Sequence, residues 1–239
     1  MESFTPKFES REIEPKIRVR IPTKNDEIKR IKYTLEKISW YKEHNLYPHN
    51  TVLPKYFSDL AEELLSGRLA ISIEEDEINN NLEYSPEDYL EIYEFLNKEI
   101  IPKTKEIMAI FRKWESDWGF KCFEEYSILL TKYGTGGSYH EDTGIIKVRM
   151  DDSRNYFEAA IHELIHIGIE RLIIEKFNLS QQEKERVVDL IYTNILKLPG
   201  RVMQNENDDK NLARLNEFIT EEYINDLPSA IEKYKQSKK

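Results

Sequence analysis

Residues 159–170 read AAIHELIHIGIE, and this stretch decides how the rest of the chain is interpreted. The segment is almost entirely apolar, yet it carries His162, Glu163 and His166 at positions i, i+1 and i+4. Burying polar side chains without partners is unfavourable. The triplet therefore needs either neighbours that satisfy its polar atoms or a chemical role.

A helix is predicted around this triplet. Asn155, followed three residues later by Glu158, resembles a capping box, which indicates a helix from residue 156 to about residue 176. On that helix His162 and His166 lie one turn apart and project from the same face. Two imidazoles placed in this way can share one Zn²⁺ at bond lengths of about 2.0–2.1 Å.

Glu163 completes the H-E-x-x-H arrangement of zinc peptidases. It lies beside the two histidines, where it can take a proton from a metal-bound water without being a ligand. The apolar residues around it predict a buried helix, as an active-site helix must be; they are Ile161, Leu164, Ile165, Ile167 and Ile169. The alternative is a core helix without metal, whose histidines bond to backbone carbonyls.

The third ligand must come from elsewhere in the chain. A catalytic zinc needs three protein ligands and an open position for water. No histidine follows His166, so a third ligand downstream has to be a carboxylate. Glu170 shares the helix face, but it lies about 12 Å from His162 along the axis at 1.5 Å per residue, too far for both to bind one ion. We therefore expect a second helix to return and supply the ligand.

The segment QQEKERVVDLIYTNILKL predicts that second helix, with Ser180 and Glu183 as its capping box. Glu185 falls in its second turn, and Asp189 lies four residues later on the same face. Between His166 and Glu185 there are 185 − 166 − 1 = 18 residues, enough for a turn and a return. We predict that Glu185 ligates the metal and that Asp189 accepts the free ring N–H of a ligand histidine. The alternative for Glu185 is a solvated surface charge.

These residues resemble the gluzincin clan of zinc metallopeptidases, in which H-E-x-x-H is followed by a spacer and a helical glutamate. The spacer is similar to that of the aminopeptidase branch, and the E-x-x-x-D pair of Glu185 and Asp189 resembles the thermolysin branch. A metzincin is not indicated, because Leu172 stands where that group has a histidine. The resemblance covers about residues 126–197. It implies a zincin-like catalytic domain with a small antiparallel sheet or hairpin, an active-site helix and a glutamate helix.

The order of the predicted elements indicates an α+β fold. Residues 1–120 are predicted to be a mainly helical region of unassigned role, and residues 121–239 to be the zincin-like domain. In the second part, FEEYSILLTKYGTGGSYHEDTGIIKVRMDD predicts two strands around a turn-rich middle. IIKVRM alternates between apolar and polar residues, and GTGG and EDTG are turn signals.

Within the N-terminal part, apolar residues recur at helical spacing in two segments. They are Ile28, Ile31, Leu35 and Ile38, and then Phe57, Leu60, Ala61 and Leu64. Gly67 is predicted to stop the second helix. Ser85 is predicted to start a third helix, which Pro102 interrupts before it ends near Trp118. IRVRI, near the N-terminus, predicts a short surface strand or arm.

The resemblance also implies how a substrate binds. In zincins an edge strand that precedes the metal helix pairs with the substrate backbone, and GTGGSY followed by IIKVRM is the candidate. Gly136 and Gly137 would let a peptide approach closely, whereas the alternative is an ordinary hairpin with a flexible tip. Candidate donors for the oxyanion are Tyr139 and His140 in the hairpin and Tyr192 on the glutamate helix.

Composition limits the remaining classes of function. The formal charge of −10 disfavours non-specific binding to nucleic acid, which requires an excess of Lys and Arg. Cys122 is the only cysteine, so neither an intrachain disulfide nor a cysteine metal cage can form. The first residues contain no apolar signal region, and no run approaches the length of a membrane span. We therefore expect a cytoplasmic protein without nucleic-acid or membrane partners.

The leading hypothesis is a zinc-dependent metallopeptidase with one Zn²⁺ per chain and a peptide or protein substrate. A second hypothesis is a non-catalytic or latent zincin-fold protein that binds a protein partner through its helical N-terminal half. The absence of the GxMEN and HGGG-like signatures of exopeptidases supports this second hypothesis. In a latent form, His44 or His49 would occupy the open position on the zinc.

Overall fold

The computed structural model describes residues 16–68, 74–150, 155–199 and 210–238. Its strands are β1 (Lys16–Arg20), β2 (Glu125–Thr131), β3 (Gly137–His140) and β4 (Ile145–Arg149). Its α-helices are α1 (Lys24–Glu36), α2 (Ile38–Glu43), α3 (Lys55–Leu65), α4 (Glu75–Asn81), α5 (Leu90–Phe95), α6 (Thr104–Trp118), α7 (Tyr156–Ile169), α8 (Gln181–Leu190), α9 (Lys210–Phe218) and α10 (Leu227–Ser237). Helices around one sheet confirm the predicted α+β class.

The four strands form one sheet in the order β1-β2-β4-β3. β1 pairs with β2 in parallel, β2 pairs with β4 in parallel, and β3 pairs with β4 in antiparallel orientation. The predicted antiparallel sheet is therefore wrong for two of these pairings, although the β3–β4 hairpin is present. The segment predicted as two strands holds three, because the chain leaves β2, forms β3 at the sheet edge and returns as β4 between them.

The stretch IRVRI contributes to β1 at the opposite edge of the sheet. Ile17 and Val19 are buried and their neighbours are exposed, which is the alternation of a strand with one face on the core. A parallel pair needs a long crossover connection, and the helices α1 to α6 lie between β1 and β2 in the chain. Residues 1–15, which include most of the predicted arm, lie outside the described residues.

The N-terminal helices follow their local signals. α1 begins at a capping box in which Thr23 Oγ1 accepts from Asp26 N at 3.2 Å, and Asp26 Oδ2 accepts from Thr23 N at 2.8 Å. As predicted, α1, α2 and α3 bury their apolar residues, with Leu60 only partly covered; the buried ones are Ile28, Ile31, Leu35, Ile38, Phe57, Ala61 and Leu64. Gly67 follows α3 with φ +71°, so the predicted stop is confirmed.

The third predicted helix is divided into shorter pieces. Ser85 precedes a 3₁₀ turn over Pro86–Tyr89 rather than an α-helical start. Pro102 lies in a second 3₁₀ turn between α5 and α6, which confirms the interruption. α6 then ends at Trp118, where Gly119 takes a left-handed conformation with φ +86°.

Two hydrophobic cores organise the described chain. One lies among α1 to α4 and is centred on Ile31, Phe57 and Ile78. The larger one lies between the sheet and the helices α6, α7, α8 and α10, and it includes Ile17 and Trp114 from the first 120 residues. No helix in the described part of the chain has the length and apolar character needed to cross a membrane.

Candidate metal centre

α7 begins where the sequence predicts it. The side chain of Asn155 accepts a hydrogen bond from Glu158 N at 3.2 Å, and the helix is continued by a π-helical turn over Glu170–Glu175. Every residue from Ala160 to Ile169 is buried, because α7 packs in the larger core. Both histidines of the H-E-x-x-H motif are therefore held inside the protein on a rigid element.

α8 returns alongside α7 after a complete capping box. Ser180 N donates to Glu183 Oε2 at 2.8 Å, and Glu183 N donates to Ser180 Oγ at 3.3 Å. The predicted start of this helix is therefore confirmed. Glu185 follows in the second turn of α8, on the side that meets the two histidines of α7.

Three ligand atoms converge between α7 and α8. His162 Nε2 lies 2.8 Å from His166 Nε2, and Glu185 places Oε2 3.2 Å from the first and Oε1 3.5 Å from the second. For zinc bonds of about 2.0–2.1 Å at tetrahedral angles, ligand atoms are separated by about 3.3–3.4 Å. The two distances to Glu185 match this value, and the two imidazole nitrogens lie about 0.5 Å closer, so a small rotation of one ring would let all three atoms bind one ion.

The protonation requirements of this group also fit a cation. Burial opposes ionisation of Glu185, but the hydrogen bonds with His162 and His166 outweigh it and hold the pKa of the carboxyl well below its usual range. Two imidazole nitrogens that face each other at 2.8 Å repel through their lone pairs unless one carries a proton. A cation would satisfy the carboxylate and both nitrogens at once, so the residues present fit a divalent metal such as Zn²⁺.

Glu163 lies at the junction of α7 and the edge strand β3. Its side chain is buried, and its carboxyl packs directly against Gly137, the first residue of β3. A Cβ at residue 137 would overlap Glu163 Oε1. The glycine leaves room for the carboxyl here, and the close approach of a peptide to this residue stays a prediction. The other predicted glycine, Gly136, uses its carbonyl to accept from Arg149 N at 2.9 Å.

Tyr139 supports one of the histidines from the same strand. Its ring stacks on His166, with 5.1 Å between ring centroids and 10° between planes. Its hydroxyl donates to Glu170 Oε2 at 2.5 Å and accepts from Lys184 Nζ at 2.5 Å, and Lys184 also pairs with Glu170 at 2.9 Å. Burial and the bond to Glu170 raise the pKa of Tyr139. Glu170 is thus engaged outside the three-ligand group, as the axial distance from His162 predicts.

The other two predicted oxyanion donors are placed differently. His140 is exposed, and strand alternation directs it to the opposite sheet face from Tyr139. Tyr192 is fully buried, and its hydroxyl donates to the carbonyl of Pro199 at 3.3 Å. Of the three candidates, Tyr139 is the one that the described structure places against a ligand histidine, but its hydroxyl is held by Glu170 and Lys184.

The sequence predicts that Asp189 supports a ligand histidine and that, in a latent form, His44 or His49 occupies the open position on the metal. Asp189 is fully buried on α8, but it does not bond to Nδ1 of His166, which has no hydrogen-bond partner among the described residues. Asp189 likewise makes no hydrogen bond to Nδ1 of His162, so its support of a ligand histidine stays a prediction. His44 stacks on Trp40 at 4.0 Å between ring centroids, and His49 is exposed, so neither joins the three-ligand group.

Sequence reasoning missed two sets of contacts around the centre. The ion pair of Glu170 and Lys184 beneath Tyr139 joins three segments that no local pattern connects. Arg30 of α1 reaches the loop before β3, although its position beside an apolar helix face resembles that of a solvated charge. Only the burial of these charged residues would have revealed the contacts, and residue spacing does not predict that burial.

Comparison with protein-family models, with curated proteins and with solved structures found no match for the chain. The likeness to gluzincins therefore depends on the motif residues and on the geometry of the group they form.

Proposed function

We propose that the chain is a zinc-dependent metallopeptidase with a zincin-like arrangement. The observation that carries the proposal is the convergence of His162 and His166 on α7 with Glu185 on α8, at separations close to those between ligands of one ion. Glu163 supports it, because the glutamate that follows the first histidine of H-E-x-x-H is the general base of metallopeptidases with this motif.

A bound Zn²⁺ would contribute two chemical effects to the reaction. Zn²⁺ in such a centre lowers the pKa of a bound water and polarises a carbonyl oxygen. His162, His166 and Glu185 would hold it as three protein ligands, which leaves a position open.

Glu163 is the proposed general base. Its side chain is buried, and its carboxyl packs against Gly137 at the start of β3. In the proposed reaction it removes a proton from the attacking water and later delivers that proton to the leaving amine. The contact with Gly137 places the Glu163 carboxyl, which is the proposed proton acceptor, between α7 and β3.

The edge strand is the proposed binding site for the substrate backbone. β3 lies at the end of the sheet order and pairs with β4 on one side. Gly137 contacts Glu163 and Tyr139 contacts His166, so β3 runs directly beside the centre. A peptide added as a further strand would therefore bring its carbonyls past the metal ligands.

The proposal is tested by digestion of a peptide library together with metal analysis. The wild type is expected to contain one zinc per chain and to cleave peptides, and chelation is expected to stop cleavage until zinc is restored. Glu163→Gln is expected to keep its zinc and to lose turnover, while Glu175→Gln, at an exposed position after α7, keeps both. Turnover by Glu163→Gln at the wild-type rate would overturn the assignment of the base.

A different outcome would favour the non-catalytic alternative. Zinc at one per chain without cleavage of any library peptide would leave a zincin-like metal protein that binds a partner. Absence of zinc after purification and after reconstitution would exclude both.

A further inference from the structure

Helix α1 buries two opposite charges one turn apart. Glu27 and Arg30 are each 1% exposed, which is rare for charged side chains and costly unless their polar atoms are satisfied. Many of their partners lie in one short segment, residues 131–138, which joins β2 to the edge strand β3. The question is why a helix of the N-terminal region holds this segment so firmly.

Glu27 fixes the beginning of the segment. Its Oε2 accepts from Thr131 Oγ1 at 2.6 Å, and its Oε1 accepts from Lys132 N at 2.8 Å. The same Oε1 accepts from the hydroxyl of Tyr89 at 2.6 Å. The carboxylate therefore anchors the last residue of β2 and the first residue after it.

Arg30 fixes the remainder. Its Nε donates to the carbonyl of Tyr133 at 3.2 Å, its Nη2 to the carbonyl of Thr135 at 3.2 Å and its Nη1 to Ser138 Oγ at 2.9 Å. All of these acceptors are neutral oxygens. Gly134, with φ +81°, packs against the guanidinium, and a Cβ at this position would overlap it. The planar fork of donors thus spans the loop and reaches into β3.

The loop is also held from the opposite side. Val52 and Gly134 exchange backbone hydrogen bonds of 3.0 and 2.8 Å. Arg149 Nη1 donates to the carbonyls of Gly134 and Asn50 at 2.9 and 2.8 Å. Residues from the N-terminal helical part therefore enclose the loop, and the contacts of Arg30 continue from the loop into the edge strand at Ser138.

This arrangement bears directly on the general base. Gly137 follows the arginine-bound loop, and its missing side chain defines the space for the Glu163 carboxyl. Ser138, the next residue, is bonded to Arg30. We propose that Arg30 is a positioning residue: it holds the loop and β3 in place, and thereby fixes the space in which Glu163 acts. The catalytic part of this inference rests on the proposed function, whereas the fixing of β3 does not.

Loss of the Arg30 side chain is expected to loosen β3 without affecting the binding of zinc. Arg30→Ala removes the donors that hold residues 133–138, but it leaves the ligands on α7 and α8 untouched. Zinc content is expected to stay at the wild-type level. Amide exchange in residues 132–141 is expected to rise at least about tenfold as the segment opens locally. Because a misplacement of about 1 Å can cost about 10²-fold in rate, kcat is expected to fall by about 10–100-fold.

The test compares Arg30→Ala, Arg30→Lys and the matched control Lys29→Ala, an exposed position on the same helix. Hydrogen–deuterium exchange of residues 132–141 and zinc content are measured for each. Lys29→Ala is expected to match the wild type, and Arg30→Lys to lose part of the protection, because an ammonium lacks the planar fork. Added guanidinium ion at low millimolar concentration is expected to restore protection and activity to Arg30→Ala, whereas ammonium is not.

Wild-type protection of residues 132–141 in Arg30→Ala would overturn the inference, as would wild-type kcat in a variant that has lost protection. If Arg30→Ala does not fold, Ser138→Ala removes one acceptor of the guanidinium and serves in its place; unchanged exchange at residues 136–140 would contradict the inference. If the wild type cleaves no peptide but protection depends on Arg30, the proposed function fails and the fixing of β3 stands.

Discussion

Substitution of Gly137 by alanine probes the contact between the edge strand and the general base. An ideal Cβ at this position would lie 2.9 Å from Glu163 Cδ and 3.1 Å from its Cγ, and it would overlap Oε1. Ordinary contact begins at 3.4 Å, so Cδ must retreat by at least about 3.4 − 2.9 = 0.5 Å, and Oε1, which is nearer, must move further. Glu163 is buried and Gly137 is half-buried, so packing around the glutamate side chain opposes this retreat.

The size of the effect follows from two opposing contributions. Overpacking of a buried contact costs about 1–3 kcal/mol, and the loss of glycine flexibility returns about 0.4–1 kcal/mol. We expect Gly137→Ala to lower the free energy of unfolding by about 1 kcal/mol in urea titrations. Displacement of the carboxyl by about half an ångström is expected to reduce kcat by about tenfold, with zinc content unchanged.

A double-mutant cycle isolates the contact. Glu163→Asp shortens the side chain by one methylene and is expected to relieve the overlap in Gly137→Ala. The unfolding free energies should therefore couple by about 0.5–1 kcal/mol, in the sense that the double variant is more stable than the sum of the single changes. Additivity within about 0.3 kcal/mol, or a kcat for Gly137→Ala within twofold of the wild type, would refute the reasoning.

Two further predictions concern the supports of the centre. Burial opposes ionisation of Glu183, but bonds from Lys238, Ser180 and Tyr234 lower its pKa to about 2. Because the folded pKa lies below the unfolded one, Glu183 stabilises the fold above about pH 5 and loses this effect as pH falls towards 2. Glu183→Gln should therefore lower the unfolding free energy by about 2 kcal/mol at pH 7 and much less at pH 2.5, and equal losses in urea titrations at both pH values would count against it. Tyr139→Ala removes the ring that stacks on His166 and should weaken zinc binding about tenfold, as measured by competition with a chromophoric chelator. Tyr139→Phe keeps the stack and should change zinc affinity by less than about threefold. Equal effects of the two substitutions would exclude support by stacking.

The helix starts and side-chain placements that the structure confirms around the candidate centre depend on local signals. The capping residues Asn155 and Ser180 mark the starts of α7 and α8, and helical periodicity places His162 beside His166. Glu185 follows from elimination, since a third ligand on α7 itself lies too far along the axis. Each step uses residues within one helical turn or the length of a helix, which is information that a single chain carries.

The sheet could not be predicted in the same way. Pairing of β1 with β2 joins residues more than a hundred positions apart, and no turn signal identifies the partner of an isolated strand. β4 lies between β2 and β3, and the chain that leaves β2 is bonded to Glu27 and Arg30 of the distant helix α1. These are tertiary contacts, so local patterns could not reveal them.

The supporting residues illustrate the same limit within the centre. Tyr139 and His140 are adjacent and chemically plausible as donors, but strand alternation sends them to opposite faces. Gly137 can be recognised as a residue that permits close approach, but only the fold shows that the approaching group is Glu163. The sequence therefore does not reveal which residues contact one another in the fold.

The central claim is that His162, His166 and Glu185 together bind one cation, and metal titration tests it most directly. Wild-type protein freed of metal is titrated with Zn²⁺ alongside Glu185→Gln and the exposed control Glu175→Gln. We expect one zinc per chain for the wild type and for Glu175→Gln, and an affinity at least about 100-fold weaker for Glu185→Gln. Equal affinity in all three proteins, or no binding by the wild type, would contradict it.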